Sequence, residues 1–295
     1  MEGKILEKTD RELHKKVRAA NELYHNQVAE VYEKDESLAG SHNAFNQARI
    51  ERIVKKLSEK TGGALFLDLA CGTGNVLKFG AKYFKNAVGV DISFNMLKMA
   101  KSRGLKVAQA DAVNLPFEDE KFDGVSCFSV VHHLSNHFLF FREIHRVLKE
   151  GGILYTDWDP LYRPQPDEKN LNWKFYSFGK KLFKLGENFG KKLFSSNNKE
   201  KKGESCFKNE NPEVQNIYKL AEYHLPSSGG EGINFDSIKE LLLEIGFKEV
   251  SLTFHWNGKK FSQLPLKQKI NIKAMQFFGL LPKDFAENLL IIAKK

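Results

Sequence analysis

Cysteine is scarce in this sequence. Cys71, Cys127 and Cys206 are the only three in 295 residues, they lie far apart, and no CxxC occurs. That argues against a disulfide framework and against zinc-ligand spacing, so no metal is expected; it fits a reducing compartment. Long hydrophobic runs are also missing: none approaches the roughly 20 apolar residues that a membrane-spanning helix needs. The opening residues Met-Glu-Gly-Lys-Ile-Leu-Glu-Lys are too charged for a secretory signal. The expectation is a cytoplasmic protein without a transmembrane segment, which leaves peripheral contact with a membrane open. No internal repeat is visible.

Apolar residues make up 41% of the chain, enough for a sizeable core in one large domain with additions. The stretch that organises it is Ala64 to Leu77, Ala-Leu-Phe-Leu-Asp-Leu-Ala-Cys-Gly-Thr-Gly-Asn-Val-Leu. A short apolar run ending in a Gly pair reads as a buried parallel strand that enters a tight turn, followed by a helix from about Asn75 to Tyr83. Gly72 and Gly74 permit positive φ and close approach of a ligand. A dinucleotide fingerprint would need a third Gly where Leu77 stands. Instead an acid, Asp68, sits inside the strand, where a carboxylate suits a ligand carrying a positive amino group.

Strand and helix signals alternate from there, which implies a parallel sheet. Ala87–Asp91 is the second strand, Leu105–Ala110 the third, Phe122–Val130 the fourth and Ile153–Trp158 the fifth. A helix over Asn136–Lys149 ends at Glu150-Gly151-Gly152. Another helix at Asn234–Ile245 precedes a sixth strand, Glu249–Trp256, and Asn288–Ala293 is the last. Asp91 lies 17 residues after Gly74 at a strand end, where it can accept both hydroxyls of a ribose. Its other reading is a cap on the next helix, a role open to Ser93 as well.

Residues 64–158 resemble the class I S-adenosylmethionine (SAM) methyltransferases, the group containing quinone and many small-molecule O-, N- and C-methyltransferases. The resemblance rests on five ordered elements: the Gly turn, Asp91, Asp111-Ala112, Phe122-Asp123 and Arg146-Val147-Leu148-Lys149-Glu150-Gly151-Gly152. The family motif Asp-x-Gly-x-Gly-x-Gly departs here at Ala70. The resemblance implies a Rossmann-like α/β fold with a seven-stranded, mostly parallel sheet. Its last strand is antiparallel, between the fifth and sixth. The implied cofactor is SAM. Asp68 would take its amino group, and Ala70, Gly72 and Gly74 would allow close backbone approach. Asp91 would bind ribose, Ile92 would flank adenine, and Asp111 with Ala112 would hold the adenine amino group. Phe128 is a further candidate contact. Two N-terminal helices, residues 5–34 and Asn43–Ser58, form a cap over residues 1–60; Tyr24, Tyr32 and Arg49 are its candidate contacts to SAM.

His132 and His133 follow the fourth strand. A histidine there is either a general base toward the methyl acceptor or a hydrogen-bonding residue of the floor. Asp157 and Asp159, after the fifth strand, are either a base or a polar rim. Catalytic candidates are therefore His133, His132 and Asp157. The core is assigned to residues 61–160 and 233–295, and 161–232 is assigned to a basic amphipathic lid.

Charge supports that division. Residues 161–210 alone carry +6 of the chain's net +9, with aromatic and Leu residues spaced from Trp173 to Leu193 among lysines. Such a stretch reads as a lid or as a surface for anionic membrane. The expected partner is a small lipophilic or amphipathic acceptor. RNA is the alternative, suggested only by positive charge and opposed by the lack of any nucleic-acid module. A SAM-binding protein without catalysis is the third reading.

Overall fold

The computed structural model describes residues 2–32, 44–160, 235–255 and 288–295. The expected lid at 161–232, its aromatic–basic run, and the Lys-rich stretch between the last two strands lie outside the described residues. Among the described residues no helix is long and apolar enough to cross a membrane.

The elements run in the order α1 (Glu2–Val28), α2 (Ala44–Thr61), β1 (Leu65–Leu69), α3 (Leu77–Tyr83), β2 (Asn86–Asp91), α4 (Phe94–Ser102), β3 (Val107–Gln109), β4 (Phe122–Phe128), α5 (His137–Val147), β5 (Leu148–Pro160), α6 (Phe235–Ile245), β6 (Ser251–His255) and β7 (Asn288–Lys294). A 3-10 turn, Val131–His133, links β4 to α5. The sheet order is β3-β2-β1-β4-β5-β7-β6. The first five strands pair in parallel, and β7 runs antiparallel to both β5 and β6. This is the mostly parallel Rossmann-like sheet expected, with the last strand inserted between the fifth and sixth.

Buried strands explain the apolar runs. Phe66, Leu67 and Leu69 of β1 are fully buried, because helices cover both faces of the sheet centre. One core cluster joins β1, β4, β5 and β7 to α5 and α6; the other packs α2 and α3 through Ile50, Val54, Phe66 and Leu77. A third, smaller cluster of Ala20, Tyr24, Val28 and Met96 seats α1 on α4.

Several boundaries differ from the sequence reading. Helix α1 stops at Val28, where the N–H groups of Val31 and Tyr32 both donate to the Val28 carbonyl and close the last turn. Strand β4 ends at Phe128 rather than Val130, because Ser129 takes φ 59° and turns the chain. Helix α5 ends at Val147, two residues early. Leu148 already pairs with Phe122, so the Glu150-Gly151-Gly152 run lies inside β5 at a register irregularity instead of capping a helix.

Candidate active site

The Gly turn is built by three backbone choices. Ala70 has φ 49°, Gly72 φ 53° and Gly74 φ 90°. The Cys71 N–H donates to the Val90 carbonyl (3.0 Å) and the Gly74 N–H to the Cys71 carbonyl (2.8 Å). A Cβ on Gly74 would sit 2.2 Å from Leu105, so that glycine is fixed by packing; one on Gly72 would meet nothing within 4 Å. Gly72 therefore presents bare backbone to open space. Ala70 holds a left-handed conformation with a side chain, at a cost of about 1–2 kcal/mol.

Asp91, at the end of β2, locks that turn to the sheet. Its carboxylate accepts from the Gly72 N–H and the Ser93 N–H, both at 2.8 Å. It is buried, and burial raises its pKa against the lowering effect of those N–H donors. The helix cap itself is Ser93, whose hydroxyl accepts from the Met96 N–H. Asp91 thus remains available on the wall of a cavity.

Two cavities meet at this turn. The larger encloses about 820 Å³ including its mouth and is lined by Gly72, Asp91, Ile92, Asp111, Ala112, Phe128 and His133 among others. The smaller, about 380 Å³, contains Asp68, Thr73 and Asn75. Tyr32, Ala70, Gly72 and Phe128 line both. Asp68 is 2% exposed and accepts from the Ser126 hydroxyl. Burial pushes its pKa up to about 7.

Helix α1 roofs the larger cavity. His14, Arg18, Asn21 and His25 line it, at spacings of four, three and four, so they share one helical face. The sequence reading followed the apolar stripe of this helix and passed over the polar one; the signal was the same periodicity applied to polar residues. Arg18 pairs with Asp111 at 3.0 Å and His14 lies 3.7 Å from it. The Asn21 amide donates to the His133 carbonyl. Asn26 accepts from the Ser93 hydroxyl and the Asn95 N–H, which fastens α1 to the start of α4. Asp111, expected to face adenine, spends one oxygen on the Val113 N–H and the other on α1. Its partial burial would raise its pKa, but His14, the Val113 N–H and Arg18 outweigh that and hold it below the usual range.

The paired histidines point to different places. His133 lines the larger cavity. His132 is buried behind it, its Nδ1 2.8 Å from Asp159. The two rings are 4.0 Å apart, and His25 approaches His133 edge-on at 5.1 Å. Burial, then the charges of His133 and His132, lower the His25 pKa to about 3. Among the described residues no group of three or more His, Cys, Asp or Glu side chains is placed to hold a metal ion.

Asp157 lines neither cavity. Its carboxylate is buried and saturated by Arg49 (2.6 Å), His255 (2.7 Å), the Tyr155 hydroxyl (2.8 Å) and the Trp158 N–H (2.8 Å). Burial would raise its pKa, yet His255 and Arg49 hold it below the ordinary range. Among the described residues, two buried donors of Arg49, Nε and Nη2, find no hydrogen-bond partner. It packs over Trp158, which in turn stacks on Phe128 of the cavity wall.

Comparison with known proteins agrees with this fold. A family model described as "Methyltransferase domain" matches residues 67–156. The chain is 35% identical over 170 residues to an uncharacterised protein of Methanocaldococcus jannaschii, covering 56% of this chain and 62% of that one. It is 32% identical over 146 residues to the tRNA (carboxymethyluridine(34)-5-O)-methyltransferase of Arabidopsis thaliana, covering 48% and 35%. It is 29% identical over 152 residues to the demethylmenaquinone methyltransferase of Staphylococcus saprophyticus, covering 46% and 64%. The chain thus spans less than two-thirds of the length of each. Among solved structures, the phosphoethanolamine N-methyltransferase 2 of Haemonchus contortus in complex with SAM shares the fold, with a TM-score of 0.55 at 16% identity over 92% of this chain and 60% of that one. The β1–Gly turn–β2 cradle, the sheet order with its antiparallel β7, and the family match show that residues 67–156 carry a methyltransferase domain, on the fold of the class I SAM-dependent methyltransferases.

Proposed function

We propose that the protein transfers the methyl group of SAM to a small acceptor, and that His133 is the base at the transfer point. The observation that carries this reading is the pair of cavities joined at Gly72, each with a buried carboxylate. Asp68 in the smaller one suits an ammonium group, and the open face of Gly72 suits a chain passing from one cavity to the other. Arg49 lines neither cavity and stands behind the wall, over the Trp158 ring that stacks on Phe128. Asp91 suits two ribose hydroxyls, with Ile92 and Ala112 beside the base. SAM supplies an activated methyl group, and the chain's work is to position the acceptor in line and exclude water. Saturated Asp157 is poorly placed as a base, whereas His133 faces the cavity. The α1 roof favours an acceptor small enough to enter a covered site.

tRNA is the second reading. It is favoured by the Arabidopsis relative and by the net charge of +9. One experiment separates the readings: incubation with methyl-labelled SAM and a cell extract, then fractionation into RNA, lipid and small molecules. Label in the small-molecule or lipid fraction is expected; label in RNA selects the second reading, and none at all leaves a SAM-binding protein without catalysis. Asp91→Ala should remove the label in every fraction. It should weaken SAM binding by calorimetry by about 1.5–3 kcal/mol, the value of a charge-assisted hydrogen-bond pair.

A further inference from the structure

Methylation of an X–H acceptor forms an X–C bond, breaks the donor's C–S bond with its electrons left on sulfur, and releases the X–H proton. In a roofed cavity that proton needs a destination. A ring nitrogen of His133 can accept it, and what lies behind His133 decides how well the resulting charge is held. Behind it is Asp159, 1% exposed, with one oxygen 2.8 Å from His132 Nδ1 and 3.2 Å from the His132 backbone N–H. The Asp159 carboxylate fixes the His132 ring with Nδ1–H as donor and lays it against His133 at 4.0 Å.

We propose that Asp159, acting through His132, is a positioning residue that stabilises protonated His133. That suits the site to acceptors that lose a proton on methylation, such as phenols, enols and amines, rather than carboxylates, which have none to lose. The inference rests on the methyl-transfer reading above. Groups from four elements bear on the pair. His25, from α1, is unprotonated at neutral pH and adds no competing charge. Asp91, from β2, is close enough to His133 for the histidine's charge to favour the ionised carboxylate. Cys127, from β4, stays a thiol, its pKa raised by burial and then by Asp159. On β5, Asp157 is neutralised by Arg49 and His255. Burial raises the Asp159 pKa to about 7, against the lowering effect of the His132 N–H and of the nearby His133.

The test reads the histidines directly and needs no acceptor. Full-length protein labelled with 15N-histidine and saturated with S-adenosylhomocysteine is titrated through neutral pH, with His133→Ala to assign the resonance. Asp159→Asn keeps the shape and removes the charge. The His133 midpoint should then fall by about one pH unit, while His132 keeps its Nδ1–H form. A second variant, His132→Asn, leaves a donor on Asp159 without the imidazole; it should lower the His133 midpoint as well, because Asp159 acts through that ring. An unchanged His133 midpoint in either folded variant overturns the proposal. Calorimetry with S-adenosylhomocysteine runs beside it. Loss of cofactor binding in the wild type would remove the methyltransferase reading, while the histidine titration still reports on the Asp159 pair in the free protein.

Discussion

Asp68 is the residue with the clearest pH signature. Its folded-state pKa, about 7, lies above the ordinary value of 3.8, so the folded protein binds the extra proton. The contribution is favourable at low pH, is lost as pH rises from about 4 to about 7, and is flat beyond. The loss is bounded by about 4 kcal/mol, at about 1.4 kcal/mol per tenfold change in proton affinity. Asp68→Asn should therefore raise the melting temperature of the cofactor-free protein above pH 7 and have little effect below pH 4. An ammonium ligand reverses the preference, because it needs the carboxylate ionised. SAM affinity should rise up to about tenfold per pH unit below 7 and level off above it, and in Asp68→Asn the slope should vanish. Calorimetry across pH checks both, and an equal slope in the variant would remove Asp68 from the amino-group site.

Elements position these residues by close packing. Gly89 of β2 pairs in register with Asp68 of β1. A Cβ there would fall 2.6 Å from Cys71 Sγ and 2.7 Å from Leu77, the start of the helix after the Gly turn. Gly89→Ala should cost about 1–3 kcal/mol by overpacking, read as a lower denaturant midpoint, and should loosen SAM binding because the turn is what shifts. Helix α1 makes the opposite kind of contact. The Arg18 side chain is 44% exposed, so its pair with Asp111 contributes less than about 1 kcal/mol to stability. It does close the roof. Arg18→Gln should leave the melting temperature nearly unchanged, speed SAM release a few-fold in stopped-flow measurements, and flatten the salt dependence of that rate. Release as slow as in the wild type would show that α1 does not gate the cavity.

At the scale of the described fold, the sheet puts four of the candidate residues at one end of its strands. Asp68, Asp91, Phe128 and Asp157 sit in or at the carboxyl ends of β1, β2, β4 and β5, where open α/β sheets bind ligands. The insertion of β7 between β5 and β6 places Leu289 and Ile291 in the main core and lets β6 carry His255 onto Asp157. That buried Arg49–Asp157–His255 group joins α2, β5 and β6, three elements remote in sequence.

Much of this was legible along the chain. The β1 run, the Gly turn, Asp68 and Asp91 lie within 28 residues, and their roles depend on local spacing, which period and turn chemistry preserve. The sheet class followed from alternating strand and helix signals for the same reason. Strand order did not: it came only with the family resemblance, because a sequence pattern says that strands pair and not which ones. The short ends of β4 and α5 were misplaced because Ser129 and Leu148 obey tertiary pairing over local propensity. Long-range partners were hidden altogether. Nothing near Asp111 announces Arg18, nothing near Asp157 announces His255, and His132 and His133 are adjacent letters that a single 3-10 turn sends to opposite duties. Local geometry is fixed by neighbours a few residues away, so the sequence determined the cradle. Burial, ion pairing and proton affinity depend on what the fold brings within a few ångströms, so only the tertiary structure decided which histidine faces the cavity, which aspartate is spent on its neighbours, and what roofs the site.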